Sequence, residues 1–165
     1  MKWARDYLAT ARDAVLAIRA IDAEYERLRA AVLVGAQKYD ADGRSSGIPD
    51  PTDAYAALMD YERQMDHLAA PHLELVDDTR RLLHGYRGRG GLASQLSRFH
   101  ANVLDMRWLQ LLRWTDISRM TGRSQRWCQM AQSVAIDWLD CHGENRLRDE
   151  IELEEMTFYD KADYE

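Results

Sequence analysis

The chain has little of what builds sheets, crosses membranes or closes disulfides. It holds 3 prolines and 9 glycines in 165 residues. With few β-branched runs besides, that argues against a strand-and-turn architecture and for helices built from alanine, leucine, arginine and glutamate. No apolar run approaches the roughly 18–20 residues that span a bilayer, so no membrane partner is expected. The opening MKWARDYLATARDA carries charge in its first turns and no apolar stretch, which does not read as a signal peptide. The 2 cysteines, Cys128 and Cys141, fall on or just past one predicted helix and are not placed to pair. A reduced, cytoplasmic setting is the natural expectation.

Convergent reactive groups are scarce as well. His67, His72, His84, His100 and His142 are scattered through helical stretches, and the spacing of His67 and His72 does not put them on one helix face as a metal-binding i, i+4 pair would be. Cys141–His142 could form half of a metal site, but no second pair stands at finger-like spacing. Adjacent acids such as Asp77–Asp78 and Glu154–Glu155 splay apart on a helix and suit a solvated face. The glycines of Gly88–Gly90–Gly91 follow no strand, and there is no phosphate-loop pattern. No catalytic residue, metal site or cofactor is expected.

What is present is helical periodicity. Ala4, Ala11, Ile18, Tyr25 and Val32 share one heptad position, and Tyr7, Ala14, Ile21 and Leu28 the other, which predicts a long helix over 3–38. Tyr39–Pro51 (YDADGRSSGIPDP) reads as a flexible linker. A second long helix, capped by Thr52 or Asp53, follows from Leu58, Met65, His72, Thr79 and Tyr86 against Tyr61, Leu68, Leu75 and Leu82. Pro71 should kink it near Leu68–Ala70. Two rods joined by a linker imply an antiparallel hairpin. Its leftover apolar residues (Trp3, Leu8, Val15 and Tyr55) call for a homodimer or for docking of the later helices. Tyr86–Gly91 (YRGRGG) reads as a basic hinge. Ser94 should cap a helix to about Trp108 that buries Leu96, Phe99, Val103, Leu104 and Trp108.

Charge is segregated. Residues 80–133 hold 10 arginines and 2 acids, whereas 1–79 hold 9 basic residues against 15 acidic and 134–165 hold 3 against 11. A basic block between acidic ones is an electrostatic footprint for phosphate that the whole-chain charge of −6 conceals.

Within that block lies Trp114–Leu139, WTDISRMTGRSQRWCQMAQSVAIDWL. Thr115 can cap a short helix with Ile117 and Met120 inward. Gly122 can end it in the left-handed conformation, and Ser124 can cap the next helix. Cys128, Ala131, Ala135 and Leu139, at i, i+3, i+7 and i+11, would form the buried stripe of that second helix. Gln125, Arg126, Gln129, Met130 and Ser133 would then face outward. Arginine and glutamine early in such a helix are the side chains that reach base edges in the major groove. Trp108 and Trp114 are expected as core anchors; Trp127 either packs on the supporting helix, the favoured reading, or flanks the DNA backbone.

The run Ile117–Ser124 (ISRMTGRS) resembles the EIA-x-x-L-G-x-S core of sigma factor region four. The continuation Gln125–Ile136 is similar to the second helix of small phage-encoded late-gene transcriptional regulators of the RinA-like and ArpU-like kind. The resemblance covers the order of parts over roughly 5–140, with the matching residues concentrated in 104–139. The chain departs from the pattern at Ser118, where alanine is usual, at Cys128 and Ala131, where larger aliphatics are common, and in its acidic tail.

The expectation is an all-α protein: a helical hairpin over 1–86 with a flexible linker at 39–51, a helix-turn-helix domain over 92–142 and an acidic tail over 143–165. The tail's apolar Ile151, Leu153, Met156 and Phe158 leave open a further helix, a disordered tail or a segment that mimics DNA and covers the basic face. The function expected is sequence-specific binding of double-stranded DNA in prophage transcription control. Arg119, Arg123, Ser124, Gln125, Arg126, Gln129, Met130 and Ser133 are the contact residues, and RNA polymerase is a further candidate partner. Two readings compete: a DNA-packaging protein of the small-terminase kind, and a protein adaptor in which the motif is only a scaffold.

Overall fold

The computed structural model describes residues 2–42, 51–86, 89–142 and 148, with the side chains of 33–42, 51–54 and 57 excepted. Every regular element among them is helical. In order these are α1 (Ala4–Asp42), α2 (Pro51–His84), α3 (Gly91–Gln95), α4 (Arg98–Leu104), a π-helical turn (Asp105–Leu109), α5 (Trp114–Thr121) and α6 (Gln125–His142). The one β-type pairing described is an isolated bridge between Tyr86 and Arg89. The protein is all-α. No described helix is long and apolar enough to cross a membrane.

Both long helices overrun the expected linker: Tyr39–Asp42 is helical, and α2 begins at Pro51. Proline suits that first position, where its missing N–H would have no partner in any case. Residues 43–50 of the linker lie outside the described residues, as does the acidic tail apart from Arg148. α2 is assigned as helix on both sides of Pro71.

The chain divides into two compact units, one of Met1–Ala14 with Glu74–Glu165 and one of Val15–Leu73. In the first, Ala4, Leu8, Ala11 and Ala14 form one buried stripe of α1. The end of α2 adds Val76, Leu82, Leu83 and Thr79, whose hydroxyl donates to the Leu75 carbonyl (2.7 Å) and so meets the cost of burial. α4 packs on α3 and α6, and α5 packs on α6 and on the π turn. The first backbone N–H of α1, at Ala4, donates to the Asp140 carboxylate (2.8 Å), 136 residues away. An acid there satisfies an orphan donor and complements the helix dipole. This tertiary cap ties the start of the chain to the end of α6.

In the second unit, Ile21, Asp22 and Tyr25 of α1 share an open groove of about 210 Å³ with Glu62, Met65, Asp66 and Ala69 of α2. None of its described side chains is buried.

Between α2 and α3, the Arg89 N–H donates to the Tyr86 carbonyl (3.0 Å); Arg87 and Gly88 of the YRGRGG run lie outside the described residues. Gly85 and Gly91 both have positive φ (71° and 65°). A Cβ on Gly85 would lie 1.8 Å from the Arg89 carbonyl oxygen, so only glycine fits.

The single helix expected from Ser94 to Trp108 is broken into three pieces. Ser94 lies within α3, and its hydroxyl donates to the Gly91 carbonyl (3.2 Å). Ser97 is the cap of α4, with its Oγ accepting from the Phe99 N–H (3.1 Å). The helix then widens at Asp105, where the Gln110 N–H reaches back to the Asp105 carbonyl (2.9 Å). Of the five residues expected inside, Val103 and Leu104 are buried, while Leu96, Phe99 and Trp108 are only partly so.

A candidate nucleic-acid interface on the outer side of helices 5 and 6

The geometry of this region starts at the π turn, a device common where a helix must be re-aimed. Leu111 takes a positive φ of 61°, a costly backbone for a leucine. Arg107 holds the strained segment: its guanidinium donates to the Leu112 carbonyl (3.0 Å) and lies 5.1 Å from the Trp114 ring centroid. Arg107 is therefore committed to structure. Beneath, Val103, Ile117 and Cys128 form a buried cluster lined by Phe99, Met106, Leu112 and Trp114. Trp114 anchors this core as expected.

Arg113 occupies the N-cap position of α5 with no side-chain capping bond, and Thr115, expected as the cap, is exposed inside the first turn. Ile117 is buried, but Met120, expected inward, is 63% exposed. Gly122 ends α5 in the left-handed conformation (φ 65°, ψ 22°). Ser124 accepts from the Trp127 N–H (3.3 Å) and starts α6. The turn carries one further tie: Ser118 Oγ donates to the Arg123 carbonyl (2.6 Å). The alanine usual in the resembling motif could not make that bond. Thr121 Oγ1 donates to the Ile117 carbonyl (2.7 Å) and lies 3.5 Å from Cys128 Sγ.

α6 buries Cys128, Ala131, Ala135 and Leu139 as its spacing predicts, together with Ile136. Arg123, Gln125, Arg126, Gln129, Met130 and Ser133 are all exposed. Neither Arg123 nor Arg126 is held in an ion pair among the described residues, and both side chains are exposed. Arg119 is exposed too, with a weak surface pair to Asp116 (3.6 Å). Two of the expected contact residues are partly spent on the helix itself: Ser124 as its cap, and Ser133, whose hydroxyl donates to the Gln129 carbonyl (3.2 Å).

Trp127 departs from expectation. It is 52% exposed, and with Met130 (54%) and Val134 (48%) it makes an apolar stripe on the outer side. The signal was available in the helical spacing, since Trp127 sits about 100° around the helix from the buried Cys128. The residue type alone suggested packing.

Away from this surface, His84 Nε2 lies 3.5 Å from Asp105 Oδ2, to which Gln110 also donates (3.2 Å). Burial pushes the Asp105 carboxyl up, but hydrogen bonds from His84 and Gln110 outweigh it and hold the group below the usual carboxylate range. Burial alone lowers the pKa of His100. Among the described residues no three His, Cys, Asp or Glu side chains come together to hold a metal. Cys128 and Cys141 are both free thiols, the first buried and the second exposed. Set against protein-family models, curated proteins and solved structures, the chain finds no match in any of the three.

Proposed function

We propose that this protein is a sequence-specific binder of duplex DNA, a transcriptional regulator of the phage type that its 117–136 stretch resembles. The first half of α6 enters the major groove. Arg123 and Arg126 contact phosphate or guanine, Gln125 and Gln129 meet base edges, and Arg119, Ser124, Met130 and Ser133 lie at the margins. The observation that carries this reading is the exposure of Arg123, Gln125, Arg126 and Gln129 together at the start of an 18-residue helix that a glycine turn sets against its support. A helix N-terminus adds its own partial positive charge toward phosphate.

One recognition helix supplies modest affinity, so two copies reading paired half-sites complete the proposal. The Val15–Leu73 helices serve as the pairing region: they bury no described side chain and leave Leu16, Tyr55, Met59, Leu68 and Leu73 about half exposed. RNA polymerase is a further candidate partner. Selection from a random duplex library tests sequence preference. Enrichment of a two-fold related motif, lost with Gln125→Ala/Gln129→Ala, is the expected result, and no enrichment by the unaltered protein contradicts it.

A second reading has its own support. The stripe of Trp127, Met130 and Val134 suits a protein partner better than a polar groove, and would make α6 the docking helix of an adaptor. A packaging assembly of the small-terminase kind gains nothing from these observations.

A further inference from the structure

The outer side of α6 combines two chemistries, and a DNA groove rewards only one of them. Arg123 and Arg126 suit phosphate, but Trp127, Met130 and Val134, at i, i+3 and i+7, present a continuous apolar stripe. Met120 of α5 is exposed as well. A ligand matching the whole surface needs apolar side chains set among carboxylates.

The chain carries such a segment. Residues 149–165 hold 8 acids against 1 lysine. Ile151, Leu153, Met156 and Phe158 are interleaved with those acids, an acidic–apolar alternation whose charge and apolar content are the complement of arginines flanking an apolar stripe. Its starting point is fixed in the same compact unit as α6. Arg148 donates to Asp78 Oδ2 and to the Tyr7 hydroxyl, both at 3.3 Å. From Arg148, the ten residues to Phe158 reach about 33 Å when extended, whereas α6 is about 27 Å long. The extended segment is longer than α6, and its charge and apolar content complement the stripe and its arginines.

We propose that residues 149–165 dock on the outer side of α5 and α6 of the same chain. Leu153, Met156 and Phe158 cover Trp127, Met130 and Val134, and the carboxylates face Arg119, Arg123 and Arg126. Where the DNA reading holds, this segment competes with duplex for the same arginines. The docking itself does not rest on that reading.

The test uses the full-length chain with ¹³C-methyl-labelled methionine, Cys141→Ser, and a nitroxide on Ala162→Cys; Cys128 is buried and unlabelled. The expected result is loss of Met130 and Met120 methyl intensity relative to the same sample with its nitroxide reduced. Intensity should return when Leu153→Asp/Phe158→Asp is added. Undiminished Met130 intensity would overturn the proposal. So would the same loss in a mixture of a nitroxide chain with a separate, nitroxide-free ¹³C chain, which would assign the docking to a second copy. Duplex titrations of the Leu153→Asp/Phe158→Asp chain separate the two ideas. A gain of roughly 5-fold or more in affinity is expected if the segment competes with DNA. No duplex binding by any variant, with the Met130 broadening intact, refutes the DNA reading and leaves the docking standing.

Discussion

The two compact units use the same kind of sequence pattern to opposite effect. In Met1–Ala14 with Glu74–Glu165, apolar residues at helical spacing become a core, with Leu8, Leu83, Leu104, Ile117 and Leu139 fully buried. In Val15–Leu73, an equally regular heptad buries no described side chain. Periodicity therefore fixes that a segment is helical and which stripe is apolar. It does not say what covers the stripe. Two helices alone cover little of one another, and most helical stability comes from tertiary packing.

The largest expected contrast is between cores. Leu104→Ala should cost about 2–5 kcal/mol of stability in urea unfolding, and Leu68→Ala, at a half-exposed site, about 0.5 kcal/mol or less. A large loss at Leu68 that grows with protein concentration would break the contrast and show the stripe covered by a second copy.

The next contrast lies between two glycines with nearly the same φ. Gly85→Ala must push a Cβ into the Arg89 carbonyl and should cost on the order of 3 kcal/mol. Gly122→Ala meets nothing within 4 Å and should cost only the left-handed backbone penalty, about 1 kcal/mol. Equal losses would mean that the α2–α3 turn relaxes freely. A smaller effect, about 0.5–1 kcal/mol, is expected for Ser118→Ala, which frees the Arg123 carbonyl.

The smallest effect is a pH response confined to the first unit. The pKa of His100 is lowered on folding, so below its ordinary 6.5 the unfolded chain takes up a proton that the folded chain resists. Stability should fall as pH drops from about 7 through that window. Asp105, also lowered, adds a further loss only below its ordinary 3.8, as pH falls through its folded value. Thermal melts at pH 7.5 and 5.5 should differ less for His100→Gln than for the unaltered protein; an equal difference would assign the response to other groups.

Much of the α5–α6 region was legible from local chemistry. A glycine flanked by capping residues marks a turn because few other residues tolerate its backbone, and Gly122, Ser124 and the Cys128–Leu139 stripe fall as their spacing requires. What local chemistry could not carry depended on distant partners. Asp140 caps α1 across 136 residues, which draws the start of the first long helix into the core of the last. Ser94 and Ser97 are equally good caps in isolation, but Ser94 falls inside α3, a helix with Gly91 and Leu92 buried, and Ser97 takes the cap. Trp127 was assigned inward on residue type, although its position on the helix points outward.

The central claim is that the start of α6 meets duplex DNA. Its most direct test is fluorescence anisotropy of labelled duplex from the upstream region, against a scrambled duplex, across a salt series with the full chain and with Arg123→Ala/Arg126→Ala. The account predicts tighter binding of the native duplex, weakening as salt rises, and a salt slope reduced by up to about 2 in the double variant. Equal affinity and an equal slope for both proteins, or no binding of either duplex at about 50 mM salt, would contradict it and turn the search to protein partners of the Trp127 stripe.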